Sequence, residues 1–148
     1  MTDDLLLHDE PYGALWLAPE VPCMIIQWKG FANQQQFQFI MDRGLELYQA
    51  QARHYHPLGW LADCRNLTAI NNTVQEWLNL DWNCRAAALG IQHVSFIVSE
   101  SVFGKITVQN YSQRTQSTDL YTIETSHHST PEQARHWLRQ QLQQLSAM

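Results

Sequence analysis

The sequence predicts an α/β fold: a mixed β-sheet in the element order ββαβαβαβα, its parallel strands joined by right-handed crossovers. Three observations carry this. The runs "PCMIIQW", "HPLGWLAD" and "HVSFIVS" are short and almost continuously apolar, which suits strands covered on both faces. Between and after them lie segments with apolar residues at helical spacing, long enough to carry the chain to a parallel neighbour. Ahead of them, "ALWLA" and "PCMIIQW" follow one another with no helix between, which suits an antiparallel edge.

Residues 14–18 form a short edge strand closed by Pro19. The run from Pro22 to Trp28 is the first buried strand, ended by Gly30. A long helix runs from about Asn33 to Ala52. Its apolar positions Phe37, Ile40, Met41, Gly44, Leu45, Tyr48 and Ala52 make one stripe that faces a core. Phe39 and Leu47 fall off that stripe and are candidates for an interface, in the first instance a homodimer contact. The next strand spans His56 to Asp63. A helix from about Thr73 to Leu89 follows, with Thr73 and Glu76 at capping-box spacing and Gly90 as its left-handed cap. Within it, Ala86, Ala87 and Ala88 allow close approach to a sheet. Residues 93–99 form another buried strand. Ser101 to about Gln113 is a weaker helix with Val102, Phe103 and Ile106 inward. Leu120 to Thr125 alternates and reads as the last strand. Thr130 as N-cap, Pro131 at the first helical position and Gln133 then open a final helix with a stripe from Ala134 to Leu145.

Bulk properties bound the function. The 148 residues suffice for one domain with its own core, and the chain is read as a single domain over 1–148. Hydrophobic residues at 45% against 16% charged argue against long disorder. A net charge of -5 with no basic run argues against a nucleic-acid partner, because an acidic domain is repelled by phosphate backbones. The start, "MTDDLLLHDE", has acids where a signal peptide carries basic residues. No run approaches the roughly 20 apolar residues of a membrane span. The expected location is therefore cytoplasmic. Cys23, Cys64 and Cys84 lack metal-site spacing and read as reduced and buried.

The element order, "GWLADCRNL" at the end of the third strand, "EWL" opening the next helix and the closing "TPEQARHWL" together resemble the SpoIIAA-like, STAS-type families, in particular their bacterial STAS/SEC14 branch. The resemblance spans nearly the whole chain. It implies a right-handed βα superhelix with helices mainly on one face of the sheet, and a non-enzymatic regulatory or protein-interaction module. Anti-sigma antagonists of this type carry a phosphorylatable Ser or Thr between an Asp and a Gly after the third strand. This chain has Asp63-Cys64-Arg65-Asn66-Leu67-Thr68 there. Asp63 matches by position and the phosphoacceptor does not, so the phosphoswitch is not carried over.

The same strand end is where chemistry would sit. Side chains there point toward the usual ligand crevice of open α/β sheets. Arg65 could hold an anion beside helix N-terminal amides, so Asp63, Arg65, Thr68, Asn72 and Thr73 are the candidate anion- or partner-binding residues. The competing reading is an Asp63–Arg65 pair within a strand-to-helix handover. Cys64 as a nucleophile lacks the glycine-rich amide loop that would lower its pKa. His54 with His56, and His127 and His128 with His136, are too few and too irregularly spaced for a metal centre. Of the tryptophans, Trp28, Trp60, Trp77 and Trp137 are assigned to the core, and Trp16 and Trp82 are left open. Nucleotide, hydrolase and metalloprotease motifs are absent. The expectation is no catalytic residue, no metal and no cofactor. A small apolar-ligand or lipid-binding domain is the alternative, and an enzyme using Asp63 and Arg65 a second one.

Overall fold

The computed structural model describes residues 3–68, 70–99 and 102–146, with side chains described outside 102–104. Among these residues one mixed sheet has the order β1-β2-β3-β4-β5-β6, where the strands are Leu5–Glu10, Gly13–Ala18, Cys23–Trp28, Gly59–Asp63, His93–Ile97 and Glu124–His128. β1, β2 and β3 pair antiparallel, and β3 through β6 pair parallel. The expected central strands are thus central, with Trp60 opposite Met24 and Val94.

Two strand expectations change. The element order begins with three strands, not two, because Leu5–Glu10 pairs with β2. This strand escapes sequence patterning because it is an edge. Leu5 and Leu6 are half exposed, and a register shift between Leu6 and His8 breaks its alternation. Residues 14–18 are therefore interior to the sheet. The last strand lies at Glu124–His128, not at Leu120–Thr125. Pairing with β5 selects the later segment, although "LYTIET" alternates better. Leu120 stays exposed, Ile123 joins the core, and Tyr121 joins a polar network described below.

Two helical layers cover the sheet unequally. α1 (Gln34–Gln51) carries the expected stripe, with Phe37, Ile40, Met41, Gly44, Leu45 and Tyr48 buried. Its N-cap is Asn33, which accepts from the Gln36 N–H while the Gln36 side chain accepts from the Asn33 N–H. Gly44 lets α1 approach the sheet. A Cβ there would lie 2.6 Å from the Trp60 ring. Tyr48 fixes the loop before β4 by donating to the Leu58 carbonyl at 2.6 Å, and burial pushes its phenol up to about 12.

The helical run after β4 has three parts: α2 (Asn72–Trp77), a π-helical segment (Leu78–Trp82) and α3 (Asn83–Ala88). The N-cap of α2 is Asn71, whose side chain accepts from the Val74 N–H at 2.8 Å. The Thr73–Glu76 capping box does not form. Thr73 lies inside the first turn and is exposed, because the N-cap, Asn71, stands two residues earlier than that spacing suggested. The π-helical segment turns Trp82 into the core, where its indole N–H donates to the Met41 carbonyl at 2.8 Å. Gly90, at φ +108, ends the run as expected. Asn83, fully buried, accepts from the Tyr111 hydroxyl and donates to the Tyr121 hydroxyl, which in turn donates to Asn79. This chain of bonds ties the π-helical segment to α4 (Val102–Gln116) and to the loop before β6.

α1, α2, α3 and α4 share one face with Leu15, Met24, Ile26, Trp60, Val94 and Phe96. There Trp60 and Trp82 meet edge to face at 5.1 Å. On α4 the buried positions among the described side chains are Thr107, Val108, Ser112 and Thr115, while Ile106 is 48% exposed, so Ile106 is not inward as expected. Ser101 and the side chains of Val102 and Phe103 lie outside the described residues. The other face carries α5 (Pro131–Ser146) alone, with Ala134, Leu138 and Leu142 packed on Cys23, Ile25, Leu61 and Ile97. Thr130 caps α5 by accepting from the Gln133 N–H at 3.2 Å, as its spacing predicted. No helix among the described residues is long and apolar enough to cross a membrane.

Candidate functional site

α5 lies chiefly over β4, β5 and β6 and reaches β3 at Cys23 and Ile25, and among the described residues no other helix packs on that sheet face. Strand alternation sends Trp16, Ile25, Gln27, Leu61, Asp63 and Ile97 to the α5 side. They floor a groove of about 620 Å³, walled by Arg135, Arg139 and Glu132 of α5 and by Asp4, Glu20 and Arg65. The groove opens at the carboxyl ends of β3 and β4, where ligands bind in open α/β sheets.

At its head, Asp63 and Arg65 form a closed pair. Arg65 donates Nε–H to Oδ1 at 2.9 Å and Nη2–H to Oδ2 at 2.7 Å, and its backbone N–H reaches Oδ1 at 3.3 Å. Asp63 is only 7% exposed, so this bidentate grip replaces the water it has lost. The bonds to Asp63 hold the guanidinium more basic than usual against the opposing effect of burial. Arg65 itself stays at the surface, and its Nη1 donors are not engaged by Asp63.

A second charged cluster closes the other end. Arg135 binds both oxygens of Asp4 and also Glu20 at 3.1 Å, and Arg139 reaches Glu20 at 3.4 Å. The start of the chain and the β2–β3 turn are thereby fastened to α5. In the floor, the Trp16 indole donates to Gln27 Oε1 at 3.0 Å, which fixes the ring while leaving it half exposed.

The expected site residues separate. Asp63 and Arg65 come together. Thr68, Asn72 and Thr73 are exposed and do not line the groove. Phe39 is 51% exposed, and its ring contacts His8. Leu47, the other expected interface residue, is half-buried and packs against the main core, so the two do not make one exposed stripe. Cys23 and Cys64 are buried. Burial pushes the Cys23 thiol up to about 12 and the Cys64 thiol well above its ordinary value. Cys84 is half-buried, unlike the expectation that all three would be enclosed. His54, His56 and His136 are exposed, and no group of three metal-capable side chains gathers among the described residues. Trp82, left open by its sequence context, is 1% exposed; Trp77 and Trp137 are half-buried.

Arg135, Arg139, Trp16 and Gln27 were not anticipated as a group. The four-residue spacing of the two arginines places them on one helix face, but the surface they meet depends on which side of the sheet α5 takes. A small apolar pocket of about 50 Å³ lies on the opposite face among Trp28, Phe37, Trp60, Trp82, Phe96 and Cys64. No protein-family model matches the chain, and no curated protein matches it.

Proposed function

We propose that the chain is a non-enzymatic, STAS-like interaction module in the cytoplasm that docks a protein partner in the α5-side groove. The observation that carries this reading is the half-roofed sheet face, with a fixed Trp16 ring in the groove's floor and an exposed Arg65 at its head. Tryptophan and arginine are the residues that most often anchor protein interfaces. The STAS likeness is supported by the sequential order of β3 to β6 and by the placement of α1 to α4 on one face. β1 is an addition to the expected order. The proposed module works without a phosphoswitch, since the acceptor pattern is missing from the sequence. A second copy of the chain, meeting at Phe39, is a further candidate partner.

Binding is favoured over catalysis because Asp63 is committed to Arg65 on both oxygens, and the groove's described lining offers no histidine, cysteine, serine or threonine to work with them. A small-ligand site remains the second reading, since about 620 Å³ lies within the roughly 300–1,000 Å³ typical of ligand pockets. A lipid chain is less well served. The apolar pocket on the opposite face, at about 50 Å³, falls well below the roughly 300–1,000 Å³ typical of ligand pockets.

The test is affinity capture from the native host with wild-type chain, a Trp16→Ala/Arg65→Glu chain and a Leu80→Ala control at a surface outside the groove. Mass spectrometry would read proteins and small molecules. A discrete protein retained by wild type and control but lost with the groove variant supports the proposal. A small molecule with the same dependence supports the second reading, and captures indifferent to the groove variant refute both.

A further inference from the structure

Of the charged side chains that line the α5-side groove, one has no partner. Four are carboxylates, Asp4, Glu20, Asp63 and Glu132, and three are guanidiniums, Arg65, Arg135 and Arg139. At the foot of the groove Arg135 and Arg139 balance Asp4 and Glu20 in direct contact. At the head Asp63 accepts two hydrogen bonds from Arg65. Glu132 makes no hydrogen bond or ion pair among the described residues, and it acts on Arg65 only through space. The head therefore sets two carboxylates against one guanidinium. Glu132 stands in the first turn of α5, whose N-terminal partial charge of about +0.5 offsets part of that excess. The balance stays negative, in a chain whose net charge is -5.

Beside Asp63 the groove also presents unfilled donors. Gln27 of β3 is the direct neighbour of Asp63 across the sheet. The Trp16 indole can only donate, so Gln27 turns Oε1 to it at 3.0 Å. That leaves the Gln27 Nε2 hydrogens without an acceptor among the described residues. The Nη1 hydrogens of Arg65 are likewise not taken by Asp63. An occupant of the head thus meets free N–H donors at the ends of β3 and β4 and a free carboxylate on the α5 wall. The donors call for carbonyl oxygens, and the carboxylate calls for a cation. A polypeptide segment with a lysine or arginine supplies both. An acidic segment would bring a third carboxylate to the same place.

Resting on the docking reading of this groove, we propose that the protein partner inserts a basic segment: its main-chain carbonyls meet Gln27 and Arg65, and its lysine or arginine meets Glu132, which sets the preference. Glu132 also eases the start of α5, as acids do at helix N-termini. That role affects stability and not the choice of peptide, so a binding selection separates the two.

Selection from a displayed library of random peptides tests this, with the wild-type chain, Glu132→Gln, Glu132→Lys and Trp16→Ala/Arg65→Glu as baits. The wild-type chain should enrich Lys and Arg, and deplete Asp and Glu, relative to the unselected library. A synthetic peptide so selected should bind Glu132→Gln about two- to fivefold more weakly, the size of one exposed ion pair, and most of that difference should vanish in 1 M salt. Glu132→Lys should enrich acidic peptides instead. Glu132 is exposed, so its two variants keep the test if the groove variant does not fold. Peptides that need Trp16 and Arg65 yet carry no basic excess, or that bind Glu132→Gln equally well, overturn the basic-segment inference and leave the docking reading standing. No enriched peptide, or the same enrichment by the Trp16→Ala/Arg65→Glu chain, overturns both.

Discussion

Arg65 holds Asp63 with two parallel hydrogen bonds, at 2.9 and 2.7 Å, across a single intervening residue at the end of β4. The partners are unequal. Asp63 is nearly buried, whereas the Arg65 side chain is 43% exposed. Loss of the arginine therefore strands a carboxylate, which is worse than loss of an ordinary surface pair.

Arg65→Ala is expected to cost about 1–2 kcal/mol, above the ~0–1 kcal/mol of exposed pairs and within the range for an unsatisfied buried group, discounted for solvent at the guanidinium. Adding Asp63→Asn should recover part of that loss. Urea denaturation of the single and double variants measures both. A neutral Arg65→Ala would mean that water replaces the guanidinium.

Asn71→Ala should cost about 1 kcal/mol, as lost N-caps do, and Thr73→Ala under about 0.5 kcal/mol, because its hydroxyl caps nothing. Thermal or urea midpoints separate the two positions. The opposite ranking would restore the Thr73–Glu76 box.

At Gly44 two effects compete. Alanine gains about 1 kcal/mol of helix propensity, but its Cβ would stand 2.6 Å from the Trp60 ring. Overpacking of this kind costs about 1–3 kcal/mol, so Gly44→Ala should be destabilising overall. A stabilised variant would show that α1 can lift from the sheet freely.

Thiol labelling checks the exclusion of Cys64 as a nucleophile. In the native chain a maleimide should modify Cys84 first, while Cys23 and Cys64 react only as fast as the protein opens, since burial raises both thiols. Rapid labelling of Cys64 in folded protein would reopen the enzymatic reading.

The sheet's buried centre was legible in the sequence because two-faced burial leaves an unbroken apolar run, as at Cys23–Trp28. The α1 stripe and the Thr130 cap were legible for equally local reasons. What failed was set by tertiary pairing. β1 reads as a short acidic start until β2 lies beside it. "LYTIET" alternates, yet β5 pairs with Glu124–His128 and leaves Tyr121 to bond Asn83. At the candidate site the Asp63–Arg65 pair was readable from proximity along the chain. The groove was not, because Trp16, Gln27, Arg135 and Arg139 meet only once α5 crosses to the face opposite the other helices.

The most direct test of the central claim is site-specific photocrosslinking in the native host, with a photoreactive phenylalanine analogue at position 16 in the groove or at position 80, exposed outside it. A docking groove predicts a discrete protein adduct from position 16, lost on Arg65→Glu, and none from position 80. No adduct at position 16, or the same adducts from both positions, would contradict the claim.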